Sequence, residues 1–333
     1  TPVRIVVDKD TKKFKWTPFF IEKKKEIDIS DGKTSQVWLT FKVPDDLKSG
    51  DYLGKVFVQV GGAKAGELDI QFRVLPFKLP IPATKMGLFY MFHGMNKQEE
   101  MDNAAIDMSE HGMTGDPAIS VDIVSRNQKL GEDDIEHFTK LNKMRVSACL
   151  KGNFLKNKTD RLLCGIGFQI IEYWDQNKGW GAFWPHSEKI DKDLILAAKT
   201  VIDQCKKEGW PAPWFWMVDE PGGHPETLPE LYYYNSTLKK AIPEIKFWQD
   251  IGGGISLGID EIKDLCSYVD YFTTNRFDEE IYDRFKKCDK GKYGIYNNAT
   301  CCGTISPIKD RHMYSFYGWK TGVDCLMQWA YSS

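Results

Sequence analysis

The period of the apolar residues changes once along this 333-residue chain, at Leu75-Pro76-Phe77-Lys78-Leu79-Pro80-Ile81-Pro82, and that change limits the fold more than any other feature. Before it the period is two. Val37, Leu39, Phe41 and Val43, and again Leu68, Ile70, Phe72 and Val74, alternate with polar neighbours as half-buried antiparallel strands do. Pro44-Asp45-Asp46, Ser49-Gly50-Asp51 and Gly61-Gly62 supply turn chemistry between the runs. Residues 1–80 are therefore expected to form a small antiparallel β-sandwich. Pro76, Pro80 and Pro82 cannot continue strand pairing and read as a stiff link between domains.

Beyond the link, short apolar runs alternate with longer helical stretches, the order that builds a parallel sheet. Strands are expected at 85–92, 112–120, 145–150, 214–218, 246–250, 268–274, 292–296 and 323–329. Helices are expected around 96–111, 132–143, 192–207, 228–241, 260–266 and 278–287. Eight strands with intervening helices predict an α/β fold, a (β/α)8 TIM-like barrel over residues 84–333. Residues 156–190, rich in aromatics and glycine, read as an insertion that folds over the barrel mouth. No helix follows the eighth strand before Ser333, so a continuation of the barrel past that point is expected. Thr1 is no initiator Met and opens no signal-like segment, so a processed or missing upstream piece is expected as well.

Composition narrows the function. Lys and Arg number 45 against 47 Asp and Glu, a net charge of −2 that offers no broad basic surface to nucleic acid or anionic lipid. No apolar run approaches the roughly 20 residues of a membrane-spanning helix. Eight cysteines in a chain of this length do not make a disulfide framework; most, Cys205, Cys266 and Cys288 among them, read as free thiols. Adjacent Cys301 and Cys302 lack the paired spacing of a zinc site, and no metal is expected. Sequons begin at Asn157, Asn235 and Asn298, about the number chance supplies.

Barrel enzymes work at the C-terminal ends of their strands, and the fourth strand ends most tellingly: Trp214-Phe215-Trp216-Met217-Val218-Asp219-Glu220-Pro221-Gly222-Gly223. Adjacent carboxylates repel and are desolvated there, which raises at least one pKa and suits proton donation. An acidic helix cap or a loop ion pair is the plainer explanation of an isolated Asp-Glu pair, but strand-end position and flanking aromatics point to chemistry. Ordinary retaining glycosidases hold two carboxyls about 5–5.5 Å apart across the anomeric carbon, and inverting ones about 6.5–9.5 Å. Neighbouring residues, with Cα atoms about 3.8 Å apart, do not easily flank a ring. They suit one side of it, where the glycosidic oxygen on C1 and the acetamido N–H on C2 lie together. Glu220 would then act as general acid and base while Asp219 orients an acetamido group that serves as the internal nucleophile. Because side chains alternate along a strand, both acids can serve only if the backbone twists or bulges near Pro221-Gly222.

Aromatic and polar residues near other strand ends complete the candidate substrate-binding set: Tyr90, His93, Trp248, Asp250, Asn275, Tyr296, Asn297, Trp329 and Tyr331. Rings stack on sugar C–H faces, and amides, carboxyls and imidazole reach hydroxyls. Phe92, Asp116 and Arg276 sit in similar positions, and Trp174, Trp180, Phe183 and Trp184 in the insertion are placed to close over a ring or to form that loop's own small core. Asp250 is the competing candidate for the nucleophile of a conventional double displacement. Gly252-Gly253-Gly254 lacks phosphate-loop spacing and reads as a strand-to-loop turn.

With Asp219-Glu220-Pro221 in place, the chain resembles glycoside hydrolase family 123, the β-N-acetylgalactosaminidases, and its wider relatives. Val43-Pro44 through Gly50-Asp51-Tyr52, and Val74-Leu75-Pro76-Phe77, look like that family's N-terminal sandwich; Trp319 to Tyr331, with Gly322, Asp324 and Trp329-Ala330-Tyr331, is similar to its eighth-strand region. The resemblance implies a retaining exo-hydrolase of terminal β-linked N-acetylgalactosamine. It also implies substrate-assisted catalysis by Asp219 and Glu220, a glycan or glycoconjugate substrate and no cofactor. That substrate class favours a secreted, periplasmic or cell-surface location. A conventional retaining glycosidase and a non-catalytic carbohydrate-binding barrel are the alternatives.

Overall fold

The computed structural model describes residues 3–7, 11–18, 24–80, 84–90, 92, 94–114, 132–154, 161–164, 172–175, 179–183, 185–252, 257, 259–275, 279–286, 293–297 and 312–330. The chain divides into two compact units, Thr1–Pro80 and Ile81–Ser333.

In the first unit, β1 (Val3–Val7) pairs antiparallel with β2 (Phe14–Pro18), and β3 (Gly50–Val60) with β4 (Ala63–Val74). Gly61 and Gly62, at φ of 57° and 81°, make the two-residue turn of the longer hairpin, which needs left-handed backbone at both positions. The expected strand through Val37, Leu39, Phe41 and Val43 pairs with no strand among the described residues. These side chains remain exposed, although the Phe41 ring stacks over Phe72 at 6.4 Å. Among the described residues the unit carries two antiparallel hairpins, β1–β2 and β3–β4. An isolated ribbon has no second layer, so alternation alone cannot bury its apolar face.

The second unit is a parallel α/β structure. Its main sheet has five strands in the order β10 (Trp248–Asp250), β11 (Tyr271–Thr274), β12 (Tyr293–Asn297), β13 (Cys325–Ala330) and β5 (Lys85–Tyr90), every neighbour parallel. The last strand therefore pairs with the first. On the other side, β9 (Ala212–Phe215) pairs parallel with β6 (Arg161–Cys164) and touches the β10 region through a Phe215–Phe247 bridge. Thr114 donates its N–H to the Met86 carbonyl at 3.0 Å, bringing the start of the expected second strand against β5; residues 115–131 lie outside the described ones. β7 (Glu172–Asp175) and β8 (Gly179–Phe183) form a hairpin within the expected insertion.

One strand expectation is corrected. Residues 145–150 belong to α2 (Glu132–Lys151), which follows α1 (Gln98–Glu110), and the parallel partner of β9 is instead β6, inside the segment read as insertion. Asn142, Val146 and Cys149 are buried, and so is Ala148, a spacing of three to four residues that belongs to a helix. A short apolar run does not by itself distinguish the two. The remaining helices are α3 (Glu188–Glu208), α4 (Leu228–Ala241), α5 (Ile259–Tyr268), α6 (Glu279–Lys286) and the short α7 (Gly318–Thr321). α3 shows why such segments are helical. Ser187 Oγ accepts the Ile190 N–H at its start, Gly209 ends it at φ 66°, and Ile190, Leu194, Ala197, Val201 and Cys205 line its buried face. No described helix is long and apolar enough to cross a membrane.

Alternation on the strands sorts the core into two parts. Phe215, Phe247, Phe272, Ile295 and Leu326 pack with residues of the helices, whereas Trp216, Trp248, Tyr271, Tyr296, Cys325 and Met327 form a separate cluster on the opposite face. Gly294 lies on that inner face, where an added Cβ would meet Cys325 Sγ and the Tyr271 hydroxyl. Cys149, Cys205 and Cys325 are free and buried, but Cys266 is disulfide-bonded, which corrects its reading as a thiol.

Asp270 fastens β10 to β11. Its carboxylate accepts the Phe247 N–H at 3.1 Å and pairs with Lys246 at 3.2 Å and Lys239 at 3.5 Å. Burial alone would raise its pKa, but these three partners together hold it below the usual carboxylate value. Its stabilising contribution is accordingly present above the unfolded value of 3.8 and lost as pH falls through the lower folded one. Asp270→Ala leaves a buried N–H without its acceptor and is expected to cost about 3 kcal/mol at neutral pH. Urea denaturation at pH 7 and pH 3 checks this, the difference from wild type shrinking at the lower pH.

Candidate active site

The chain leaves β9 at Phe215, runs through Trp216, Met217 and Val218 in the interior, and bends at Val218 and Asp219. Trp216 Nε1 and Gln249 Nε2 both donate to the Val218 carbonyl, which ties this exit to the neighbouring strand. The following turn is closed by Gly222 N–H to the Ile251 carbonyl at 3.0 Å and Gly223 N–H to the Glu220 carbonyl at 2.9 Å. Between these anchors Glu220 takes φ of +39°, in the left-handed region that a side chain with a Cβ seldom adopts. Backbone strain of this kind costs on the order of 1–3 kcal/mol and persists where surrounding structure imposes it. Its consequence is directional: the second acid does not follow the alternation of a regular strand.

The Glu220 side chain is held at one oxygen. Tyr296 donates its hydroxyl proton to Oε1 at 2.7 Å, and Asn275 Nδ2 donates to the same oxygen at 3.1 Å. Asn275 directly follows β11 and Tyr296 lies on β12, and the pairing of Thr274 with Ile295 sets the two side by side. Beneath them is Gly252, at φ +61°, where a Cβ would stand 2.9 Å from Glu220 Cβ. Glycine is needed there on both counts. Thr274 Oγ1 and Asn275 N–H donate to the Gly252 carbonyl at 2.6 and 3.1 Å, so the glycine is fixed from β11.

Asp250, at the end of β10, is 1% exposed and accepts the Gly252 N–H at 3.0 Å. Burial, then the neighbouring Glu220 charge, pushes its pKa well above the ordinary carboxylate value, with Asp219 adding to the effect. Tyr296 lies within hydrogen-bonding reach of the same carboxyl. Burial and the charges of Asp250, Glu220 and Asp219 likewise push the Tyr296 phenol up, so it stays a proton donor at any physiological pH. Asp219 and Glu220 are both half-buried, and both act electrostatically on the same Asp250–Tyr296 pair. The acid raised by burial and by its carboxylate neighbours is thus Asp250, on the next strand.

Of the residues singled out from sequence, the structure brings Asp219, Glu220, Asp250, Asn275 and Tyr296 together. Trp248 is a correction: it is 1% exposed and packs edge-on against Trp216 at 5.4 Å, a ring of the inner core and no open platform for a sugar. Tyr90, Asn297 and Trp329 lie on β5, β12 and β13, their side chains outside the described ones. His93, Tyr331, Asp116, Arg276 and Trp184 lie outside the described residues altogether, as do the side chains of Trp174, Trp180 and Phe183. Sequence reasoning passed over Gly252 as a loose turn and did not single out Gln249. The signal available for Gly252 was its place two residues after a strand-end acid.

No model of a known protein family and no curated protein matches the chain. Among solved structures it is similar to QR15, an aldolase, with 11% identity, 74% of this chain and 88% of that one covered, and a TM-score of 0.38. It is similar also to the homocysteine methyltransferase MmuM from Escherichia coli, with 12% identity, coverage of 76% and 92%, and a TM-score of 0.43. A third likeness is to an FMN-binding β-glucuronidase from Facaelibacterium prausnitzii L2-6, with 10% identity and a TM-score of 0.43 over 84% of this chain and 44% of that one. Likeness at this level carries no chemistry from those proteins to this one.

Proposed function

We propose that this chain is a retaining glycoside hydrolase of the exo-β-N-acetylgalactosaminidase type, related to glycoside hydrolase family 123, whose substrate supplies its own nucleophile through the 2-acetamido group. The parallel strands, with β13 beside β5, belong on this reading to a closed (β/α)8 barrel, and the site lies at its C-terminal mouth. The pose of Glu220 carries the proposal. Left-handed backbone at this residue turns it from strand alternation, and its grip by Tyr296 and Asn275 sets it among the groups that Asp219 also faces.

Glu220 protonates the departing glycosidic oxygen, then as carboxylate takes the proton of the water that opens the cyclised intermediate. Asp219 accepts the acetamido N–H and stabilises positive charge on that nitrogen as the acetamido oxygen closes on C1. No metal or organic cofactor enters these steps. Complete burial and a raised pKa favour a neutral Asp250, which is unsuited to the role of ionised nucleophile in a double displacement.

Chromogenic β-glycosides with and without a 2-acetamido group test the reading. Wild type is expected to hydrolyse only the 2-acetamido series and to be inhibited by a thiazoline analogue of the cyclised intermediate. Asp219→Asn is expected to lose about a hundredfold in kcat. Hydrolysis of plain glycosides at equal rate, or indifference to the thiazoline, overturns the substrate-assisted scheme.

A further inference from the structure

The hydrogen-bond count around Tyr296 goes one step further, and rests on the reading of Glu220 as acid and base. A phenol has one proton. Tyr296 spends it on Glu220 Oε1, at 2.7 Å, yet the same hydroxyl lies within hydrogen-bonding reach of the Asp250 carboxyl. An oxygen that has given its only proton to one carboxylate can meet a second carboxyl favourably only by accepting. The second must then carry a proton. Asp250 is placed for that: it is 1% exposed, its Oδ1 is taken by the Gly252 N–H at 3.0 Å, and no lysine or arginine among the described residues pairs with it. Among the described residues, the titratable groups facing it are Glu220, Asp219 and Tyr296, two acids and a phenol, none of which compensates a buried negative charge.

We propose that Asp250 is held as a neutral carboxylic acid that donates to the Tyr296 oxygen, so that Tyr296 in turn donates to Glu220, and that this one-way chain positions Glu220 and selects which of its oxygens reacts. Both donors, Tyr296 and Asn275, reach Oε1. Oε2 is therefore the oxygen that carries the acid proton to the leaving group. When that proton leaves, the electron pair of the O–H bond stays on the Glu220 carboxylate, and the two donors already aimed at Oε1 stabilise the charge as it forms without reorganising. Asp250 and Tyr296 are positioning residues: neither meets the substrate, and neither gains or loses a proton over the cycle. An ionised Asp250 would turn the Tyr296 proton away from Glu220 and break the chain.

Infrared difference spectroscopy of wild type against Asp250→Asn at pH 7 reads the protonation directly. The expected result is a carboxylic-acid C=O band in wild type that is absent from the Asn variant and displaced in Tyr296→Phe. Kinetics supply the second readout. On 2-acetamido glycosides with poor leaving groups, Tyr296→Phe is expected to lower kcat about tenfold to a hundredfold with KM within about threefold. Asp250→Asn, which keeps a neutral donor, is expected to retain at least about tenfold more kcat than the near-isosteric Asp250→Val. Absence of the wild-type band, or equal losses in the Asn and Val variants, overturns the chain. The band is independent of turnover. A wild type that shows it but hydrolyses no glycoside retains the neutral Asp250 and refutes the proposed function; an active wild type without it refutes the chain alone.

Discussion

Glu220→Gln is expected to slow hydrolysis of β-linked 2-acetamido glycosides by at least about a hundredfold when the leaving group is poor, and far less when it is an activated phenol. The gradient follows from the role. A leaving group that departs as a stable anion needs little protonation, whereas an alkoxide needs nearly a full proton from Glu220 in the transition state. Gln preserves volume, and its amide oxygen still accepts from Tyr296 and Asn275, the two donors at Oε1. Unfolding should hardly change, so the loss is chemical rather than structural. Rates measured across a series of leaving groups check it. A uniform loss across the series, or none, assigns the proton to another residue.

The second large effect arises from a residue with no side chain. Gly252→Ala is expected to lower kcat about tenfold to a hundredfold on the same substrates, although the added methyl has no chemistry of its own. Its Cβ would stand 2.9 Å from Glu220 Cβ and 3.2 Å from Cγ and Cδ, so Glu220 must move away. Displacement of a catalytic group by about 1 Å can cost a hundredfold in rate. Gly252 also sits at φ +61°, so alanine adds backbone strain of about 1 kcal/mol to the folded state. Parallel measurements of kcat and of urea unfolding separate the two contributions. A variant that unfolds slightly earlier yet turns over at the wild-type rate shows that the close approach of Gly252 does not govern where Glu220 stands.

The order of elements in the second unit was legible because it rests on local patterns. β10 and β12 fall within or next to the short apolar runs at 246–250 and 292–296, and a helix such as α4 reads as a repeat of three to four residues, whatever lies next to them. The pattern fell short where two periods fit the same few residues. Residues 145–150 extend α2 because Val146 and Cys149 continue a helical spacing that includes Asn142, outside the window in which the segment looks like a strand. In the first unit, alternation at Val37 to Val43 marked residues able to pair, but pairing needs a partner strand, and none is supplied among the described residues.

The candidate site divides along the same line. From sequence alone came two adjacent acids at the end of an apolar run, and Asp250, Asn275 and Tyr296 at the ends of three later ones, since a strand end is marked by where its own apolar residues stop. What tertiary structure decided is how these groups act. Glu220 receives its donors from residues 55 and 76 positions away, and Trp248 is closed off by the ring of Trp216, just past the end of β9. The left-handed turn at Glu220 stands between two anchors, the Val218 carbonyl held by Gln249 of β10 and the Gly222 N–H held by Ile251 just after it, and does not rest on its own preference. The pKa of Asp250 depends on burial and on which charges surround it, quantities that exist only once distant segments have packed, and so no local reading of the chain contains them.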